Sequence, residues 1–138
     1  MNQLVLTSQP GSSVIEVDFD RAIWTWQRKL SLKTIHYSSY WIENSRSKRL
    51  IKDEVEEDVI AFLYCDIISY SHVNNKKRQL LAVVNLRNTT TISTFEDFNP
   101  IFHDILFHQV MHIECYFQNI YGHRIVFDQT SVIVLKLW

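Results

Sequence analysis

The chain has 138 residues, 46% of them apolar and 13% aromatic, with a formal net charge of -1. That length and apolar content suit a single domain over residues 1–138 with a substantial core, and exclude a disordered or fibrous chain. Near-neutrality and a pI of about 6.6 exclude a protein that coats nucleic acid over its whole surface, while leaving room for a local basic patch.

In chain order, residues 1–12 hold a short apolar triplet followed by Ser8-Gln9-Pro10-Gly11-Ser12, which reads as a flexible arm or a single edge strand. Residues 14–19 alternate, with Ile15, Val17 and Phe19 on one side and Glu16 and Asp18 on the other, the mark of a half-buried strand. Over residues 21–30 two patterns compete: Ile23, Trp26 and Leu30 share a helical face behind an Asp20 cap, while Trp24 and Trp26 alternate as in a strand; the helix takes precedence. Residues 30–42 and 49–52 read as a hairpin around the polar turn at 44–48, and the acidic run at 53–58 as either a solvated turn or one helical turn. The strongest β signal is the pair 59–73 and 79–86, broken by a tip at Asn74-Asn75-Lys76-Lys77, with an extension at 89–92. Ser93-Thr94-Phe95-Glu96 fits a capping box, so a short helical turn is expected over 93–98.

Next comes the longest expected element. Asn99-Pro100 and Gly122 bracket an apolar-rich segment as N-cap, first turn and C-terminal stop, so residues 100–121 read as one helix. Such a rod would be about 33 Å long. Its core face would carry Phe102, Ile105, Leu106, Val110, Ile113, Phe117 and Ile120. Residues 123–138 close the chain as strands divided near Asp128-Gln129. These elements give an α+β expectation: an antiparallel meander, open or half-barrel, with the helix across its apolar face. A barrel plugged by that helix is the alternative.

Composition narrows the chemistry. Cys65 and Cys115 are too few for a disulfide framework and lie in apolar surroundings, which favours a reducing, intracellular setting in the cytoplasm or nucleus. No secretory signal or membrane-spanning run is read in the sequence. Neither glycine belongs to a phosphate-binding loop, and no glycine-containing elbow presents a serine nucleophile. Scarce Ala, Gly and Pro beside abundant Ile, Asn, Ser, Tyr, Phe and Lys fit an A+T-rich coding genome of the viral or mobile-element kind.

Three constellations remain. On a helix, Asp104, His108, His112 and Cys115 would fall along one stripe and offer carboxylate, imidazole and thiol to a metal ion. His108-Gln109-Val110-Met111-His112 resembles the zinc-protease helix motif, but Gln109 stands where the catalytic Glu is needed, which excludes that reaction. In a meander, the turns carrying Arg46, Lys48, Arg49 and Lys76, Lys77, Arg78 would meet at one end and face an anionic partner, either nucleic acid, an acidic protein or a lipid surface, with Tyr40, Trp41 or Tyr70 placed to stack bases. Phe107 and Met111 on the polar side of the helix, with the terminal Trp138, would be covered by another subunit. The sequence therefore reads first as a non-enzymatic, self-associating module without cofactor and with a basic end. A nucleic-acid-binding protein and a metal-dependent enzyme are the alternatives.

Overall fold

A computed structural model describes residues 3–43, 50–51, 58–88 and 91–138 of the chain. Its elements are all strands: β1 (Gln3–Ser8), β2 (Ile15–Trp24), β3 (Lys29–Tyr37), β4 (Tyr40–Glu43), β5 (Leu50–Ile51), β6 (Val59–Cys65) and β7 (Ser71–Val73). The second half of the chain adds β8 (Lys76–Arg78), β9 (Leu80–Leu86), β10 (Ser93–Glu96), β11 (His103–Asp104), β12 (Gln109–Gln118), β13 (Arg124–Phe127) and β14 (Val132–Leu137). No helix occurs among the described residues, so none is long and apolar enough to cross a membrane.

The pairing is not that of a meander. The first strand lies beside the last, and β14 continues to β3 and β3 to β10; in a second series β2 pairs with β12, β12 with β6 and β6 with β9. Two four-stranded antiparallel sheets, β1-β14-β3-β10 and β2-β12-β6-β9, are thus linked at a corner where β1 passes into β2. That strand order is a jelly roll. β13, β4 and β5 extend the second sheet beyond the end of β12, and β7 and β8 form a separate two-stranded ribbon above it.

The core is filled from alternate positions of both sheets. Leu4 and Leu6 of β1, Ile133, Leu135 and Leu137 of β14, and Ile113, Cys115 and Phe117 of β12 all point inward, as period-2 patterning requires. Phe127 sits at the centre, 5.6 Å from the Phe117 ring, 5.9 Å from Tyr37 and 6.2 Å from Tyr40. Tyr40 Oη donates to the Leu86 carbonyl and Tyr37 Oη accepts from the Arg87 amide, so these rings tie β3 and β4 to the end of β9. β1 lies along β14 at the outer position of its sheet, meets β2 only through Thr7 and Ser8, and buries Leu4 and Leu6.

The α+β expectation is overturned, and the residues that suggested it show why. Across 100–121 the chain forms β11, a turn and β12. Pro100 precedes β11, and Gly122, at φ +81°, closes the β12–β13 turn, where the Asn119 side chain accepts from the amides of Tyr121 and His123. Helix-stop chemistry and hairpin chemistry use the same residues there. Along β12 the pairing with β2 slips between Val110 and His112, so Val110 and Ile113 are both buried three positions apart. A slip of this kind imitates helical spacing inside a strand.

Two other helical expectations fall with it. Residues 21–24 continue β2, and the chain then turns through Gln27 (φ 58°) into β3. Ser93–Glu96 is β10, laid along β3 with Ser93 opposite Tyr37. The hairpin at 59–86 is present in part: β6 pairs with β9, but the first strand ends at Cys65, Ser71–Val73 and Lys76–Arg78 form the separate ribbon, and the tip turns at Asn74 and Asn75 alone, both at positive φ. The division between β13 and β14 also falls where the sequence placed it.

Two measurements check this packing. Phe127→Ala is expected to cost about 3–5 kcal/mol in chemical denaturation, whereas Phe98→Ala, at an 82% exposed site, stays within about 0.5 kcal/mol. Cys65 and Cys115 face each other across β6 and β12 and are both buried, and the Cys65 hydrogen bond, followed by burial, pushes the Cys115 thiol upward. Neither thiol should react with a disulfide reagent in the native protein, and both should react on unfolding.

Candidate functional surface

The outward residues of β12 are His112, Glu114, Tyr116 and Gln118, and the cross-strand register places matching side chains beside them on the same face. His112 faces Asp18 and Glu114 faces Glu16 on β2, while Tyr116 faces Tyr64 and Gln118 faces Phe62 on β6. The face therefore changes character along one strand, from acidic and imidazole-bearing to aromatic and cationic.

At the first end, His112 Nδ1 lies 2.7 Å from Asp18 Oδ1, and Nε2 lies 3.6 Å from Glu16 Oε2. The hydrogen bond to Asp18 raises the imidazole above its ordinary range against a small opposing effect of burial, and the charges of Asp18, Asp66 and Glu16 add to it. Asp66, His112 and Glu114 bring donor atoms within 4.8 Å of one another. Two atoms of this group are hydrogen-bonded, Asp66 Oδ1 accepting the Glu114 backbone amide and His112 Nδ1 pairing with Asp18 Oδ1.

Beside it lies an apolar shelf. Trp24 and Trp26 are 60% and 48% exposed and flank the His108 ring, which is 4.1 Å from Trp26 and 6.4 Å from Trp24. Phe107 and Met111 are 49% and 56% exposed and line an open hollow of about 300 Å³ with Ile67, Gln109 and His112. Trp138 is exposed on the other sheet, edge-on to Phe102 at 4.4 Å, with its indole N–H donated to Ser31.

At the far end the Tyr64 and Tyr116 rings are 5.2 Å apart, and each lies under a guanidinium: Arg78 is 4.3 Å from the Tyr64 centroid and Arg124 is 3.5 Å from that of Tyr116. Arg78 also donates to Tyr116 Oη and Gln118 Oε1. Burial raises the Tyr64 phenol, with Arg78 working against that shift and Tyr116 adding to it.

The structure disperses the four residues read as metal ligands. Asp104 is on β11 beside Lys29 at 3.5 Å, His108 is in the turn against the tryptophans, His112 is on the outer face of β12, and Cys115 is in the core. In a strand, residues three apart point to opposite faces, so His112 and Cys115 do not converge. Of the six basic residues, Arg46, Lys48 and Arg49 lie outside the described residues, while Lys76, Lys77 and Arg78 form β8. The meander that would have joined the two tips is absent. Tyr40 is buried in the core and Tyr70 is exposed. The tyrosine pair and Arg124 escaped the sequence reading because only the β6–β12 register brings them together; the alternation of His112, Glu114, Tyr116 and Gln118 was the available signal.

The imidazole gives a direct test. Asp18→Asn should return His112 toward an ordinary histidine in an NMR titration of its ring protons. Because the folded-state value is raised, the stabilisation from this pair is present below the unfolded histidine value and is lost as pH rises through the folded one. The stability difference between the wild type and Asp18→Asn should thus be seen in mildly acidic buffer and vanish in alkaline buffer.

No protein-family model matches the sequence, and no curated protein matches it. Among solved structures, the selenomethionine-labelled penton protein of mavirus is similar to this chain with a TM-score of 0.59, covering 99% of this chain and 98% of that one at 8% identity. At that identity the likeness carries the fold, and its coverage extends from one end of both chains to the other.

Proposed function

We propose that the chain is a non-enzymatic, self-associating structural subunit of a viral shell, of the penton kind. The observation that carries this reading is the structural correspondence with the mavirus penton protein, which covers 99% of this chain and 98% of that one. The jelly roll by itself is shared by capsid, lectin and cupin domains, so the fold alone would not choose among them. The exposed apolar shelf supports the choice. Trp24, Trp26, Phe107 and Met111 crowd the same end of the β2–β12 pair, and a grouping of large apolar side chains marks an association surface more often than scattered single ones do. Tryptophan is also the residue that most often dominates binding energy once it is desolvated.

In a closed ring each copy offers two different surfaces, one to each neighbour. The shelf on the β2–β12 end supplies one such surface. The acidic rim of Glu16, Asp18 and Asp66 beside it would fix the orientation of an incoming copy and disfavour a face-to-face pair, since like charges would then meet.

Light scattering with native mass spectrometry tests the reading. A closed oligomer, several multiples of the 16.5 kDa chain and populated increasingly with concentration, is expected. Trp26→Ser with Met111→Glu should weaken association at least about tenfold without moving the unfolding transition. A strict monomer throughout the micromolar to millimolar range would overturn the assembly role.

A further inference from the structure

We propose that the tyrosine–arginine end of the β12 face binds single-stranded nucleic acid, through Arg78, Arg124 and the Lys76–Lys77 ribbon, with Tyr121 as a stacking surface. This inference stands on geometry separate from the apolar shelf and does not require the assembly reading.

The cations come first. Arg78 and Arg124 make no ion pair among the described residues; both are held by neutral partners, the Tyr64 and Tyr116 rings, the Tyr116 hydroxyl and the Gln118 amide oxygen. Stacking fixes a guanidinium in place without neutralising it, although Arg124 also stands across from Glu43 in the β13–β4 register. A planar fork of this kind is suited to phosphate oxygens. Lys76 and Lys77 stand exposed on the ribbon next to it.

The cleft between that ribbon and the β12–β13 turn has a volume of about 190 Å³ and includes Tyr64, Lys76, Arg78, Gln118, Ile120 and Tyr121 in its lining. That lining contains two cations and no carboxylate. The volume is below the roughly 300–1,000 Å³ of pockets that enclose a free small molecule. It therefore fits one unit of a longer chain entering from the Gln118–Tyr121 side. Tyr121 is 70% exposed at the rim and Ile120 55%, a flat surface on which an unpaired base can lie.

The carboxylates Asp66 and Glu114 share the neighbouring hollow with Lys77, Tyr64, Tyr116 and Arg78 itself, so Arg78 stands between an acidic hollow and the carboxylate-free cleft. A phosphate strand must therefore approach from the Gln118–Tyr121 side. An acidic protein surface would meet the cations equally well but would leave the exposed tyrosine without a planar partner. That difference selects nucleic acid as the occupant.

Fluorescence anisotropy with a labelled oligothymidine, the matching duplex and heparin, at several salt concentrations, tests the proposal on the intact chain in its own oligomeric state. The wild type should bind the single strand more tightly than the duplex. Arg78→Gln with Arg124→Gln should weaken that binding at least tenfold and flatten its salt dependence. Lys76→Glu with Lys77→Glu, on an exposed ribbon outside the core, should weaken it as well, so a folding defect in the arginine variant does not decide the result. Tyr121→Ala should weaken oligothymidine and leave heparin unchanged. Unaltered oligothymidine affinity in both charge variants would overturn the proposal, and so would heparin binding that matches oligothymidine with no effect of Tyr121→Ala, the signature of plain polyanion attraction.

Discussion

The structure depends on the strict two-residue alternation of β12 after its slip against β2. From Ile113 onward, one side of this strand enters the core through Ile113, Cys115 and Phe117, and the other presents Glu114, Tyr116 and Gln118 to solvent. Because the period is two, a shift by one residue would bury Glu114 and Gln118 and expose Phe117. Burying an unpaired carboxylate is far costlier than any gain from exposed tyrosine packing, so the register is fixed by both faces at once. Phe117 then meets Phe127, and Phe127 meets Tyr37 and Tyr40, which carries the same constraint into the opposite sheet.

Legibility in the sequence followed from how local each element's cause was. The β6–β9 hairpin was readable because its strands are rich in β-branched and aromatic residues and its Asn74-Asn75 tip is specific to a tight turn. β14 was readable because Ile133, Leu135 and Leu137 alternate without interruption. β12 was not: Pro100 and Gly122 satisfy helix punctuation and turn punctuation alike, and the slip at Met111 places two inward residues at helical spacing. β10 was missed for a related reason, since Ser93 and Glu96 make a capping box only if residues beyond them are helical, and pairing with β3 overrides that local preference. The jelly-roll order itself rests on first-with-last strand pairing, which no local pattern encodes.

The surface chemistry was legible by residue type but not by arrangement. Reading His112 as a ligand, Lys76, Lys77 and Arg78 as a basic group, and Met111 and Phe107 as apolar residues left over from the core picked out positions that do lie on the molecule's outside. No local pattern encodes their neighbours, because Asp18 reaches His112, and Tyr64 reaches Tyr116, only through long-range pairing. A helix would have gathered Asp104, His108 and His112 on one stripe; a strand sends them to a salt bridge, an aromatic stack and a carboxylate pair in turn.

The proposed self-association and the proposed nucleic-acid binding would place different demands on one face, and β12 would separate them by length. Met111 and Gln118 are seven positions apart, about 24 Å along an antiparallel strand, which is more than twice the distance over which exposed charges act at physiological salt. The acidic residues Glu16, Asp18, Asp66 and Glu114 lie on the shelf side of Arg124, with Asp66 and Glu114 sharing a hollow with Arg78, and they would repel a phosphate strand from the apolar end. A strand bound at Arg78 and Arg124 would consequently leave Trp24, Trp26 and Met111 available to a neighbouring copy. The carboxylates grouped around His112 would thus act as the boundary that lets two proposed recognition surfaces share a single sheet.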